Sequence, residues 1–267
     1  PRQGRGCFEM NNMASTAQST IMARLGVALS LLARLGLLGL VALNVGCASL
    51  PAGHVEDQRD PWERYNRAMF EFNDNVDRAV VKPVAEAYRD YVPELFQRAL
   101  RNFFGNLRDI TTALHHLLQG KPSEAGNSAA RVLINTTIGI LGLGDPASSM
   151  GRPKTSEDFG QTFGRWGSEP GPYFVIPILG PSTVRDTVGT VLDFKLDPMG
   201  SVIEESAARN LAYGLIAVDR RKDLLDAQDT IEALSFDKYT GVRGAWLARR
   251  RSQVYDGDPP PRPTKDD

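Results

Sequence analysis

Few side chains in this sequence offer a recognisable chemistry, and the first is the thiol of Cys47. It follows the apolar run Leu35–Leu43, with Arg24 and Arg34 ahead of that run and Asn44-Val-Gly46 directly before the cysteine. A positive region, a short apolar region and a small residue at the cut make an export signal. A cysteine immediately after the cut resembles a lipobox, whose thiol takes a diacylglyceryl group and becomes the new N-terminus. Lipidation at Cys47 would tether the chain by acyl chains, each buried methylene contributing roughly 0.8 kcal/mol, and stable anchoring takes more than one chain. Asn44 stands where lipoboxes usually carry Leu, so an ordinary signal with a nearby cysteine stays open. The run after Arg34 is well short of the ~20 apolar residues of a spanning helix. Ala48-Ser49 follow without an Asp at the second position, the pattern of lipoproteins sent to the outer membrane.

The remaining candidates for chemistry are weak. His54 lies in the segment after Cys47, and His115 and His116 are helix neighbours that point about 100° apart and so do not share a ligand site. His116 with Asp109, seven residues back, reads as a solvated helix face. Neither a His-Glu-x-x-His zinc motif nor a Gly-x-Ser-x-Gly nucleophile elbow is present. Gly142-Leu-Gly-Asp-Pro-Ala147 fits the dinucleotide pattern G-x-G-x-x-A, but it follows a helical segment rather than a strand and carries a proline at the junction. Arg249-Arg-Arg251 reads as a complement to a helix dipole and water, with lipid phosphate as the alternative. No catalytic residue, metal ligand or cofactor is assigned.

The elements that must position these residues divide as follows. Residues 1–21 read as an N-terminal extension foreign to the mature protein, with Met13 or Met22 as start. Residues 22–46 are the lipoprotein signal, 47–59 an acylated polar tether, 60–255 one folded domain, and 256–267 a proline-rich disordered tail. From Cys47 onward 27 Lys and Arg face 31 Asp and Glu, a mildly acidic balance with no basic footprint for nucleic acid. With no cysteine beyond Cys47 the domain holds itself together by packing.

The periodicity is helical. Asp60-Pro-Trp-Glu63 reads as a cap with proline at the first helical position. Trp62, Tyr65, Met69, Phe72, Val76 and Val80 then form an apolar stripe, with Glu63, Asn66, Phe70, Asn73 and Asp77 beside it. Pro83 is expected to end this helix. Phe96, Leu100, Phe103, Leu107, Ile110, Leu114 and Leu117 give the cleanest stripe before Gly120. Its opposite side carries Arg98, Arg101, Asn102, Arg108, Asp109 and His116. Pro122 starts a helix that runs into an apolar stretch broken by Asn135, Thr136 and Thr137. Residues 146–182 are rich in Gly and Pro and read as irregular, with one extended run at Tyr173–Ile176; helix resumes at Ser182 and dominates from Ile203 to Tyr255. The expected class is all-α, a single domain with a Gly/Pro-rich irregular middle segment.

Asp60-Pro-Trp-Glu-Arg-Tyr-Asn-Arg-Ala-Met-Phe-Glu-Phe-Asn73 resembles the opening signature of the MlaA (VacJ) family of outer-membrane lipoproteins. In the family's order follow Arg89-Asp-Tyr-Val-Pro93, Asn102-Phe-Phe-Gly-Asn-Leu107, Leu118-Gln-Gly120, Phe159-Gly-Gln-Thr-Phe-Gly164, Gly171-Pro-Tyr173 and Gly180-Pro-Ser-Thr-Val-Arg-Asp186, together covering residues 60–240. The resemblance implies a helical ring within the outer membrane around an amphipathic channel. It implies removal of mislocalised phospholipids from the outer leaflet, transfer to a periplasmic lipid-carrier protein, and association with a trimeric porin. On that reading Asn66, Phe70, Asn73, Asn135 and Thr136 line or gate the channel, against the plainer alternative of helix–helix contacts with polar edges. The alternative function is a structural lipoprotein that scaffolds envelope proteins without moving lipid. A phospholipase would need a nucleophile and base that the sequence does not offer.

Overall fold

The computed structural model of the chain describes residues 57–225 and 237–261. The expectations for Cys47, His54 and residues 1–56 lie outside the described residues. Helix α1 runs Glu63–Val76 and passes through a π turn, Asp77–Val81, directly into α2, Lys82–Tyr91. Pro83 therefore does not end the first helix. It falls in the first turn of α2, where the π turn has already displaced the regular ladder and a missing N–H costs little. Asp60 is not the cap either. The helix begins at Glu63 behind Trp62, which makes no side-chain cap bond, and Asp60 is turned into the interior.

Helix α3, Glu94–Leu118, packs along α4, Pro122–Thr137, across a tight turn in which Gly120 takes φ +75°. Short helices α5, Pro146–Ser149, and α6, Phe159–Arg165, are capped by Asp145 and Asp158. The Gly/Pro-rich middle then forms a two-stranded antiparallel hairpin of β1, Tyr173–Ile176, and β2, Gly180–Thr183, with Tyr173 opposite Thr183 and Ile176 opposite Gly180. The second strand was not expected: its Gly-Pro start and Ser-Thr end look like a helix entry, and Thr183 does cap the following helix. Helix α7 is Val184–Leu196, α8 Met199–Val202, α9 Ser206–Asp223 and α10 Lys238–Val254. The described residues are thus predominantly helical with one small hairpin, rather than all-α. α6 and α7 meet glycine to glycine: a Cβ on Gly189 would come within 2.5 Å of the Gly160 nitrogen, which explains the small residues of the Phe159–Gly164 motif. Among the described residues no helix is long and apolar enough to cross a membrane.

The helices are amphipathic in the inverted sense. The α3 apolar stripe is present, but Phe96, Ile110, Leu114 and Leu117 are exposed, while Gln97, Asn106, Asp109, Thr112, His115 and His116 on the other side are buried. In α1 the stripe beside the apolar one supplies the buried Glu63 and Asn66, and of the apolar stripe only Met69 is fully buried. Aqueous proteins bury the apolar face because water rejects it. Here the polar faces meet inside, and Phe194, Val188, Leu133, Ile140 and Trp166 add to the exposed apolar surface.

Candidate functional site

Asn66 and Asn73 stand seven residues apart on one face of α1, two helical turns, and each binds the backbone of β1 like an adjacent strand. The Asn66 amide donates to Tyr173 O (3.1 Å) and Asp60 Oδ1 (2.6 Å), and its oxygen accepts from Val175 N (2.8 Å). The Asn73 amide donates to Ile176 O (3.0 Å) and its oxygen accepts from Ile178 N (2.6 Å). Between them Phe70 packs edge-on against Tyr239 of α10, 5.7 Å between centroids. Asp60 closes the group, accepting from Tyr239 OH and Arg243. Phe70 thus packs against α10, while Asn66 and Asn73 seat the hairpin on α1. The turn they hold is strained: Ile178, β-branched, takes φ +68°, and both Ile178 and Leu179 are exposed.

Asn135 belongs to a different group, centred on Arg131, and Thr136 beside it bonds Asn106 of α3. This arginine is 1% exposed and donates to Asp109 Oδ2 (3.1 Å), Ser148 Oγ (3.0 Å), Arg152 O (2.7 Å) and both oxygens of Asp145 (2.9 and 3.0 Å). Asn135 donates to Asp145 Oδ1 (2.9 Å) and accepts from Ala147 N (3.0 Å), and Thr136 accepts from Asn106 (2.9 Å). Burial pushes the Asp145 carboxyl up, but the bonds from Ser148, Arg131 and Asn135 outweigh it and hold it at about 2. The Gly142–Ala147 motif is spent here, on a turn with Gly142 at φ +88° and on the α5 cap.

Several polar residues expected to face water are buried. His115 bonds Thr162 Oγ1 (3.1 Å) and lies 3.3 Å from Asp193, while His116 bonds Thr155 Oγ1 (2.9 Å). The two rings do take different partners, but His116 and Asp109 are not a solvated pair. Burial, aided by Lys121, lowers the His116 pKa, and burial raises that of Glu157, to which Gln119 donates at 2.8 Å. Arg250 is likewise not a water-facing end charge. It binds Asp158 (2.6 Å) and Asp186 (3.1 Å); burial works against its charge, but the two carboxylates outweigh it and raise its pKa. Arg251 instead bonds the Pro260 carbonyl, and Lys121 pairs with Asp256 at 2.6 Å.

A cavity of about 420 Å³ opens between α3, α7, α8 and α9, with Leu179 of the hairpin turn at its edge. Phe104, Leu107, Phe194, Met199 and Ile216 give it apolar walls. Two cations face it, Arg108 from α3 and Arg220 from α9, with Asp193 and Asp197 on the α7 side. Sequence reasoning placed Arg108 on the polar side of its helix and missed Arg220, Arg131 and Leu179; only Arg131, a lone cation between Ala130 and Val132, carried a local signal. Asn66, Phe70, Asn73, Asn135 and Thr136 are not among the cavity-lining residues.

A family model described as MlaA lipoprotein matches residues 58–253. The intermembrane phospholipid transport system lipoprotein MlaA of Shigella flexneri is 37% identical over 212 residues, 78% of this chain and 82% of that one. Its namesake in Escherichia coli (strain K12) is 35% identical over the same shares. A solved structure described as the structural basis for maintenance of bacterial outer membrane lipid asymmetry superimposes with a TM-score of 0.63 at 34% identity, covering 73% of this chain and 98% of that one.

Proposed function

The chain belongs to the MlaA lipoprotein family, and on that premise we propose that it removes mislocalised phospholipids from the outer leaflet of the outer membrane and passes them toward the periplasm. It is an outer-membrane lipoprotein facing the periplasm, and it moves lipid without a chemical step. The observation that carries this reading is the inverted burial of its helices, with apolar stripes outward and Asn, Asp, His and Arg inward. A phosphate crossing hydrocarbon unpaired is very costly. A protein whose outside suits acyl chains and whose inside holds paired charge lowers that cost.

In the finer reading the helices form a ring lying within the membrane around an amphipathic channel, held by a trimeric porin. Acyl chains on Cys47 anchor it, and the lipid goes to a periplasmic lipid-carrier protein. The hairpin is the gate: Asn66 and Asn73 set its position from α1, Phe70 packs α1 against Tyr239 of α10, and Leu179 at the hairpin turn borders the cavity. Asn135 and Thr136 support the channel wall through the turn of residues 138–144. Irregular backbone at membrane depth is tolerated where protein covers it or a cavity adjoins it. The scaffold alternative has no use for such a cavity.

The test is surface labelling of phospholipid on cells lacking the gene, complemented with wild type or Cys47→Ala. Deletion is expected to raise surface phospholipid, and only wild type to restore it. Unchanged labelling on deletion, with the protein expressed in the parent, would sink the transport reading in favour of the scaffold.

A further inference from the structure

Arg108, half-buried, and Arg220, which keeps part of its surface in water, line the same cavity, and among the described residues neither side chain makes a hydrogen bond or ion pair. Burial, then repulsion from Arg108 and Arg249, lowers the Arg220 pKa to about 10; burial likewise lowers that of Arg108, against the pull of Asp197 and Asp109. Nearby carboxylates pull on the pair from a distance, Asp197 and Asp109 on Arg108 and Asp219 on Arg220, but each makes its hydrogen bonds to other groups. Asp109 is held by Arg131 and Lys154, and Asp158 by Arg250. Asp193 accepts from Phe159 N and faces His115, and Asp197 accepts from Tyr213 OH and Met199 N. Glu157 accepts from Gln119. Glu157, Asp158, Asp193 and Asp197 also line the cavity, yet among the described residues neither guanidinium has a bonded anionic partner.

We infer that Arg108 and Arg220 together bind the phosphate diester of an anionic lipid headgroup, with the first part of its acyl chains against Phe104, Leu107, Phe194 and Ile216. The inference rests on the transport reading and deepens it, naming a phosphate-holding station and a preference for lipids with net negative charge. Guanidinium forks suit phosphate oxygens, and a bond between two charged groups is stronger than one between neutral groups. The volume, about 420 Å³, lies within the range of roughly 300–1,000 Å³ typical of small-ligand sites. It accommodates a headgroup and upper chain rather than a whole two-chain lipid, as a station on a route would.

The experiment measures binding of fluorescent phosphatidylglycerol, phosphatidylcholine and diacylglycerol to the full chain in neutral detergent, for wild type, Arg108→Gln, Arg220→Gln, the double variant and the double Lys variant. Inorganic phosphate serves as competitor. Wild type should prefer phosphatidylglycerol over diacylglycerol by at least tenfold, with phosphatidylcholine between. Each Gln substitution should cost about tenfold, consistent with loss of a charge-assisted contact, and the double variant should lose the preference, with the Lys variant retaining most of it. Melting temperature gives the second readout: removing one of two repelling cations should raise it while binding falls. Phosphatidylglycerol and diacylglycerol binding equally well would overturn the inference and leave transport standing, whereas no lipid bound at all would sink both. Competition by inorganic phosphate as strong as by the lipid would also overturn it, making free phosphate the ligand. A lower melting temperature with unchanged binding would assign the pair to the fold alone.

Discussion

At the scale of single residues, the two asparagines of α1 have different weights although both clamp the same strand. Asn66 is fully buried, and its removal leaves a carbonyl, an N–H and a carboxylate oxygen without this partner. Asn66→Ala should cost about 3 kcal/mol, since buried groups left unpaired keep most of their desolvation penalty, and Asn73→Ala, half-exposed, only about 1 kcal/mol. Thermal unfolding in detergent checks both. Asn73→Ala should nevertheless raise surface phospholipid in cells, because Ile178 then loses the acceptor that holds its strained backbone; normal labelling would remove the hairpin from the mechanism. Acid stability separates two other residues. The Asp145 pKa in the fold is about 2 against an ordinary 3.8. Its contribution, roughly 2 kcal/mol by linkage, is therefore complete above pH ~4 and lost as pH falls toward 2. His116 is lowered in the fold, so it too favours the unfolded chain as pH drops, but beginning below its ordinary 6.5. A melting curve taken from pH 8 to 2.5 should fall in two stages, and His116→Gln should flatten only the upper one. None of these long-range roles was legible locally. Asp60 looks like a helix cap, yet its partners Tyr239 and Arg243 are about 180 positions away.

At the scale of elements, the sequence announces the amphipathic helices clearly and leaves their orientation unstated. A period of 3.6 shows that two faces differ; it does not say which solvent each face meets. Reading α3 as a water-side helix places Arg108, Asp109 and His116 outside, whereas the fold buries Asp109 and His116 and exposes Ile110 and Leu114. The signal that distinguishes the two cases is the density of polar groups that pair across elements, as Arg131 does with Asp109 and Asp145, and that appears only in three dimensions. The exposed stripe gives a direct test. Ile110→Glu and Leu114→Lys should each shift stability of the detergent-solubilised protein by less than about 0.5 kcal/mol, as ordinary surface changes do. Both should fail to restore lipid asymmetry in cells, because a charge placed against hydrocarbon is costly. Full rescue by either variant would mean that this face meets protein or water instead. The second strand was illegible for another reason: four residues beginning Gly-Pro carry almost no alternation, and β2 exists because β1, seated on α1, offers it an edge.

At the scale of the whole described domain, the N-terminal helices are joined to the C-terminal ones largely through ion pairs. Arg221 of α9 binds Asp77 of the π turn with two bonds of 2.7 and 2.8 Å, Arg101 of α3 binds Asp219 at 3.0 Å, Lys238 binds Asp74 at 2.6 Å, and Arg67 binds Asp237 at 2.6 Å. The fully buried apolar side chains are mostly small, with Met69, Tyr173 and Val175 the largest below 2% exposure, so apolar packing alone is a thin basis for this joint. Paired charge is favoured in a protein that keeps its apolar side chains for the bilayer, since the interior then needs partners that do not compete for that surface. The joint is therefore expected to be electrostatic and specific. Asp77→Asn and Arg221→Gln, measured singly and together, should show a coupling of about 1–3 kcal/mol, the range for groups in one bonded network. Because both side chains are mostly buried, that coupling should survive raising the salt from 0.05 to 0.5 M, at which exposed pairs such as Arg89 with Asp90 are screened. A coupling near zero at both salt levels would show that the helices are held by their apolar contacts. The inverted burial would then be a property of individual helix faces and not the principle that holds the domain together.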